Sequence, residues 1–156
     1  MHRIIASIAL SLGLGASSAH AGPTLGLQTE YAAPSPERGG PSGLGLSGRV
    51  GYSADLGLVS VVPEVAVAKF SDIWIPKIGG RIQVGKVIEP GVYGHLLLPL
   101  FRQESPVSGW DAGAVLDFTA APMIDVGLHG GVMVIDPSPR QTTITPVFGI
   151  HAALSF

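Results

Sequence analysis

Cysteine and asparagine are absent from this chain, and charged side chains are scarce. Without cysteine, a disulfide framework and a thiolate metal site are both excluded. Without asparagine, turns must depend on the 22 glycines, the 13 prolines, and on aspartate and serine. Charged residues make up 13% of the chain, against a usual share of about 25%. An ordinary soluble surface is therefore not expected, and a formal charge of -2 gives no reason to expect a nucleic-acid partner.

Long uncharged apolar runs are also missing once the first residues are set aside. The beginning has a positive stretch (MHR), an apolar run (IIASIALSLGLGA) and an Ala19-His20-Ala21 cleavage site. We interpret residues 1–21 as a signal peptide cleaved after Ala21. The alternative, a membrane anchor, needs a run of about 20 residues. The next longest run, LGLVSVVPEVAVA, is broken by Glu64, so a helical membrane protein is excluded and residues 22–156 are expected to form one domain.

The remaining sequence alternates apolar and polar residues with a period of two. Val, Ile and Leu recur at every second position, which is typical of half-buried strands. No segment has a helical period, so the chain is predicted to be all-β. Eight strands of about ten residues are expected, at Leu25–Ala32, Leu44–Ala54, Val59–Lys69, Ile78–Val87, Val92–Phe101, Trp110–Ala120, Ile124–Ile135 and Pro146–Phe156.

The breaks between these segments alternate in length. ADLG, IEPG and TAAPM are short, whereas APSPERGGPSG, SDIWIPK, RQESPVSG and DPSPRQTTITP are longer and more polar. In an antiparallel meander, successive turns lie at opposite ends. The pattern therefore predicts an eight-stranded antiparallel up-and-down transmembrane β-barrel with short turns at one end. Ten residues tilted by about 45° rise roughly 23 Å, close to the ~25 Å apolar band of such barrels.

The composition of the two faces predicts which one points outward. The polar face contains no lysine in the predicted strands, many glycines and a few charges, which suits the cramped lumen of a small barrel. The apolar face is then expected to contact lipid. It comprises Leu25, Leu27, Leu44, Leu46, Val50, Val61, Val65, Val67, Ile82, Val84, Leu96, Leu98, Leu116, Val126, Leu128, Val132 and Ile150.

Four charged residues fall on the polar face of the first four strands, one on each. They are Glu30, Arg49, Glu64 and Arg81, and counting from the strand ends predicts a row at similar height. Charges at mid-depth in a membrane are tolerated when they face inward and pair. The row has two interpretations: a structural network that fills the lumen, or a gate or ion path. The first is favoured because eight strands leave no aqueous channel.

A second group on the later strands has the same inward parity. It consists of His95, Asp117, His129 and His151. Two or three histidines near an aspartate could bind Zn²⁺. They could equally form a hydrogen-bonded network with Tyr93 and Ser155, which is favoured. Sequence does not define strand register, so both alternatives remain open at this point.

The aromatic residues avoid most strand centres, which is typical of the interfacial girdles of membrane barrels. Tyr52, Phe118 and Phe156 are expected near the short-turn end. The loop end is expected to carry Tyr31, Phe70, Trp74, Trp110 and Phe148.

With these features, residues 22–156 resemble the small eight-stranded outer-membrane barrels of Gram-negative bacteria, the OmpA/OmpX-like group. The segment Phe148, Ile150, Leu154 and Phe156 resembles the assembly signal of that group. The resemblance implies localisation in the outer membrane of the cell envelope, surrounding lipid, and a monomer without cofactor. It also implies transient contact with the barrel-assembly machinery and periplasmic chaperones. Pro63 and Pro99, each inside a predicted strand, depart from the pattern because proline removes a ladder hydrogen bond.

Three functions follow, and the first is favoured. It is an outer-membrane barrel with a closed lumen and a structural or surface-interaction role through its longer loops. The second is a soluble exported barrel that binds an apolar ligand. The third is a lipid A-modifying enzyme. Catalysis is not expected. The lipid A deacylases have a His-x-Ser pair, but here Gly130-Gly131 follows His129 and Ala152-Ala153 follows His151. In addition, no nearby acid on the same face is expected to orient a catalytic base.

Overall fold

Every described element of the fold is a strand, along which side chains alternate between the two faces of the sheet. The computed structural model describes residues 21–34, 41–98, 108–138 and 141–156, without the side chains of 136–138 and 141. The strands are β1 (Ala21–Ala32), β2 (Gly43–Leu56), β3 (Val59–Phe70), β4 (Ile73–Val84), β5 (Ile88–Leu97), β6 (Ser108–Ala121), β7 (Ile124–Ser138) and β8 (Gln141–Ser155). The eight predicted strands are confirmed in number and order. Residues 1–20 of the expected signal peptide lie outside the described ranges.

The strands form one closed antiparallel barrel in sequence order, and β1 pairs with β8 to complete it. The predicted all-β antiparallel barrel is therefore confirmed as a fold class. Within the described ranges, no helix is long and apolar enough to cross a membrane. We call the end that joins β2 to β3, β4 to β5 and β6 to β7 the turn end, and the opposite end the loop end.

Two of the predicted connections between strands are wrong in their position along the chain. The segment SDIWIPK is not a loop: only Ser71 and Asp72 lie between β3 and β4, and Ser71 has a φ of 48°. The alternation continues through Pro76, whose carbonyl accepts a hydrogen bond from the Leu98 backbone N–H at 2.9 Å. Likewise IEPG is not a turn, because β5 already begins at Ile88. The chain reverses instead after Gly85, at a φ of 133° that favours glycine.

Proline affects one seam of the barrel. Tyr52 and Ser53 of β2 lack the ladder partners that their neighbours have, opposite Val62 and Pro63 of β3. The pairing resumes in the same register, so the gap is not a bulge. It has a direct cause, since proline has no N–H to donate. On its other side, Pro63 lies opposite Gly80 in an unbroken β3–β4 ladder. Pro99 lies outside the described residues.

Outside the apolar plug, most apolar strand residues point outward, and the charged strand residues point into the lumen with one exception. Leu27, Leu44, Val92 and Ile150 are each more than half exposed, while Glu30 is 1% exposed. Lys69 is the one charged strand residue with an outward side chain in the described part of the chain. Its ammonium lies 5.2 Å from the Trp74 ring centroid, near the loop end.

Candidate functional site

The lumen is divided into three layers, which together form the candidate site. At the loop end, apolar side chains fill the barrel, a cluster that we call the apolar plug. It consists of Ala32, Ala68, Phe70, Ile75, Leu97, Met133, Ile135 and Val147. Phe70 was predicted in an aromatic girdle, and this is wrong, because Phe70 is 1% exposed inside the plug. Its even position in β3 continues the inward parity of Ala66 and Ala68.

The middle layer is a network of buried ionic side chains that we call the charge lattice. Its acids are Glu30, Glu64, Asp111 and Asp117, and its cations are Arg49, Lys77, Arg81 and His95. Gln28, Gln83 and His151 hydrogen-bond to these residues, and the rings of Tyr93 and His129 pack beside them. The lattice contains the whole predicted charge row, with His95 and Asp117 of the His/Asp group, while His129 and His151 lie beside it.

Lys77 holds together the part of the lattice nearest the plug. Its ammonium lies 2.7 Å from Asp111 Oδ2 and 3.3 Å from both carboxylate oxygens of Glu30. The expectation of a lumen without lysine is therefore wrong. An inward direction was not predicted for Lys77, because this residue falls in the segment that we expected to be a loop, where strand parity was not applied.

The predicted row of Glu30 beside Arg49 is also wrong in part. Arg49 lies opposite Gly26, four positions from Glu30 along β1 (30 − 26), or about 14 Å at the usual rise. Gln28 spans the gap: its amide N–H donates to Glu30, and its Oε1 lies 3.5 Å from Arg49 Nη1. The other predicted neighbours do meet. Arg49 Nε and Arg81 Nε lie 4.0 Å and 3.2 Å from Glu64 Oε2.

His95 joins the two halves of the lattice. Its Nδ1 lies 2.8 Å from Asp111 Oδ1, and its Nε2 lies 2.9 Å from Glu64 Oε1. Ionised carboxylates only accept hydrogen bonds, so both ring nitrogens must carry protons and His95 is an imidazolium. With His95⁺, the four acids of the lattice face four cations. A balanced set is what burial requires, because an unpaired buried charge is costly.

Asp117 is not the partner of His95 but belongs to a separate arm of the lattice. It accepts hydrogen bonds from Arg81 Nη1 at 3.0 Å and Gln83 Nε2 at 2.7 Å, and lies 2.6 Å from His151 Nε2. A glycine on β7 makes room for this arm. A Cβ at Gly127 would collide with Asp117 Oδ1 and lie 2.6 Å from His151 Nε2.

His129 and His151 lie together, with ring centroids 5.7 Å apart. Tyr93 lies edge-on to His129, with ring centroids 5.8 Å apart, which is a ring contact and not the hydrogen bond of the network interpretation. Ser155 instead donates to Asp125, nearer the turn end. Within the described residues, no group of three or more histidine, aspartate or glutamate side chains could hold a metal ion. His151 is hydrogen-bonded to Asp117, whereas His129 and Tyr93 contact their neighbours through their rings.

The third layer is an open cavity at the turn end, of about 560 Å³ and lined by both polar and apolar side chains, that we call the vestibule. Arg81, Gln83 and Asp117 of the lattice line its inner part. Nearer the mouth, the Thr119 hydroxyl lies 3.3 Å from Glu89 Oε1 and 3.1 Å from Asp125 Oδ1. Asp55 accepts a hydrogen bond from Ser53 at 3.2 Å.

The remaining predicted residues lie on the outer face. Phe148, Ile150, Leu154 and Phe156 are all exposed, and β8 itself ends at Ser155. Tyr31, Trp74 and Trp110 are exposed near the loop end, and Tyr52 and Phe118 near the turn end. No protein-family model, no curated protein and no solved structure matches this chain.

Proposed function

We propose that this chain is an integral outer-membrane β-barrel with a closed, polar-packed lumen. Its role is structural, or lies in surface interaction through the connections of the loop end. One observation carries the proposal: the closed barrel has an apolar outer face around a charged interior. This is the reverse of a soluble barrel, whose polar face contacts water.

The outer face supports a lipid environment in detail. Leucine, valine and isoleucine side chains at the strand centres are exposed, and burying them in hydrocarbon avoids a large contact with water. The one outward strand lysine lies near the end of β3, where a long side chain can reach the headgroups. Exposed aromatic residues at both ends are typical of interfacial belts.

The lumen supports a structural role rather than transport. The apolar plug and the charge lattice lie one above the other and fill the lumen between the loop end and the vestibule, which leaves no continuous channel along the described strands. The same filling argues against the alternative of a soluble barrel with an internal apolar ligand, because charged and hydroxyl side chains are interspersed with apolar ones such as Val62 and Met123 around the open part of the lumen.

Membrane fractionation tests this proposal. The mature protein should sediment with outer membranes, resist extraction with alkaline carbonate, and migrate differently on gels before and after boiling. The variant Leu27→Arg places a charge on the outer face at mid-strand and should strongly reduce membrane accumulation, because such a charge costs about 2–4 kcal/mol at the bilayer midplane. Lys69→Arg, outward but near the strand end, is the matched control. A monomeric protein that is soluble without detergent would overturn the proposal.

A further inference from the structure

We propose that a small cavity at the centre of the charge lattice binds one water molecule that bridges Arg49, His129 and His151. The cavity has a volume of about 20 Å³. A polar site needs at least about 10–15 Å³ to hold a water. The cavity is therefore large enough for one molecule.

Unpartnered polar atoms point to an occupant. Arg49 Nη2, His129 Nε2 and His151 Nδ1 are buried and have no hydrogen-bond partner among the residues that the structure describes. Their side chains line this one cavity, and each residue is at most 7% exposed. A buried polar group without a partner costs free energy, and internal waters typically bridge such groups with about three hydrogen bonds.

The chemistry of the three atoms selects water over an ion. Arg49 Nη2 can only donate. His151 Nε2 lies 2.6 Å from Asp117 Oδ1 and donates to it, and His151 Nδ1 has no partner among the described residues. A cation would be repelled by the guanidinium, and an anion would add a charge to a lattice in which four acids already face four cations. Water can accept from Arg49 and form either kind of hydrogen bond with His129 and His151.

Neighbouring contacts keep the protein itself from closing the gap. A Cβ at Gly149 would collide with the His129 ring, so this glycine allows the ring to lie against β8. The His129 ring also packs edge-on against Tyr93, which limits its rotation. Arg49 is held by Gln28 on one side and Glu64 on the other. The three atoms therefore remain around the cavity, at the inner end of the arm that connects through Asp117 to the vestibule.

A high-resolution crystal structure of the unmodified barrel in detergent, with and without a bromide soak, tests the inference. We expect a single peak within hydrogen-bond distance of Arg49 Nη2, His129 Nε2 and His151 Nδ1, without bromide anomalous signal. An empty cavity, a rearrangement that pairs Arg49 Nη2 with a protein acceptor, or a bromide peak at the site would each overturn it.

A solution measurement gives an independent readout in micelles. Magnetisation transfer from a long-lived water to the ring protons of His129 and His151 should be detectable in the unmodified protein. His129→Leu should abolish transfer to His151, because it removes one of the three anchors. Gly48→Ala, at an outward glycine with no atom within 4 Å of the added Cβ, should preserve it. Transfer that persists in His129→Leu or is absent from the unmodified protein would contradict the proposal.

Discussion

The acids of the charge lattice and the acids at the vestibule mouth share one lumen but have different partners. Each lattice acid lies within 4.0 Å of a cationic side chain. Asp55, Glu89 and Asp125 contact hydroxyl groups instead, and none of them forms an ion pair in the part of the chain that the structure describes. The difference follows exposure: the lattice acids are at most 5% exposed, whereas water can reach the vestibule acids. Burial, not acidity, decides where a cation is required.

The sharpest test of this comparison is to remove the cation nearest the plug. Lys77→Met should cost about 3–5 kcal/mol, the usual penalty for leaving a buried charge without its partner, because Glu30 and Asp111 both lose their lysine contact. Lys69→Met, at the exposed lysine, should cost less than about 1 kcal/mol. Urea unfolding in lipid vesicles, followed by tryptophan fluorescence, measures both. Equal losses for the two lysines would show that the lattice does not depend on burial.

Within the lattice, the two arginines should differ. Arg81→Met removes contacts of 3.2 Å to Glu64 and 3.0 Å to Asp117, and should cost about 3 kcal/mol. Arg49→Met removes a 4.0 Å contact to Glu64, which keeps Arg81 and His95. We expect a loss of about 1 kcal/mol there, judged by the same unfolding assay. A larger loss for Arg49 would favour the continuous charge row predicted from the sequence.

The space around the lattice can be tested without changing any charge. Gly127→Ala should cost about 1–3 kcal/mol through overpacking, because its Cβ would displace Asp117 and His151. Gly48→Ala adds the same atom to the outer face of β2 and should be neutral or slightly stabilising. Unfolding midpoints of the two variants provide the comparison. A harmless Gly127→Ala would mean that this arm of the lattice is loosely packed.

The smallest effect is expected at the vestibule. Asp125→Asn should change stability by less than about 1 kcal/mol, because the amide oxygen can still accept from Thr119 or Ser155 and no cation is left unpaired. In the lattice, the matched Asp111→Asn removes a negative charge that Lys77 and His95 share, and should lower the free energy of unfolding several times more. The ratio of the two losses in unfolding free energy, measured at equal ionic strength, is the quantity to compare. Similar losses would remove the distinction between the layers.

The strand count, the order of the strands and the directions of most side chains could be predicted from the sequence, because a period of two assigns faces locally. Phe70 and Lys77 fall just outside the predicted strands, so strand parity was not applied to them. Both continue the alternation of β3 and β4, which directs their side chains inward.

The pairing inside the lumen could not be predicted in the same way. It depends on register, which alternation leaves free by steps of two residues. Glu30 and Arg49 have the expected direction, but the ladder between β1 and β2 separates them along the barrel. Asp111 has the same parity as Asp117 in β6, but only the ladder between β5 and β6 places it opposite His95.

The gap beside Pro63 interrupts the ladder between β2 and β3 within the barrel wall. Proline has no N–H to donate, so the group of β2 that it leaves without a partner is a carbonyl. Tyr52 and Ser53 remain paired with β1 on their other side. Amide hydrogens that bond across the interrupted part of the β2–β3 seam should therefore exchange with deuterium ahead of those in the unbroken ladder further along β2.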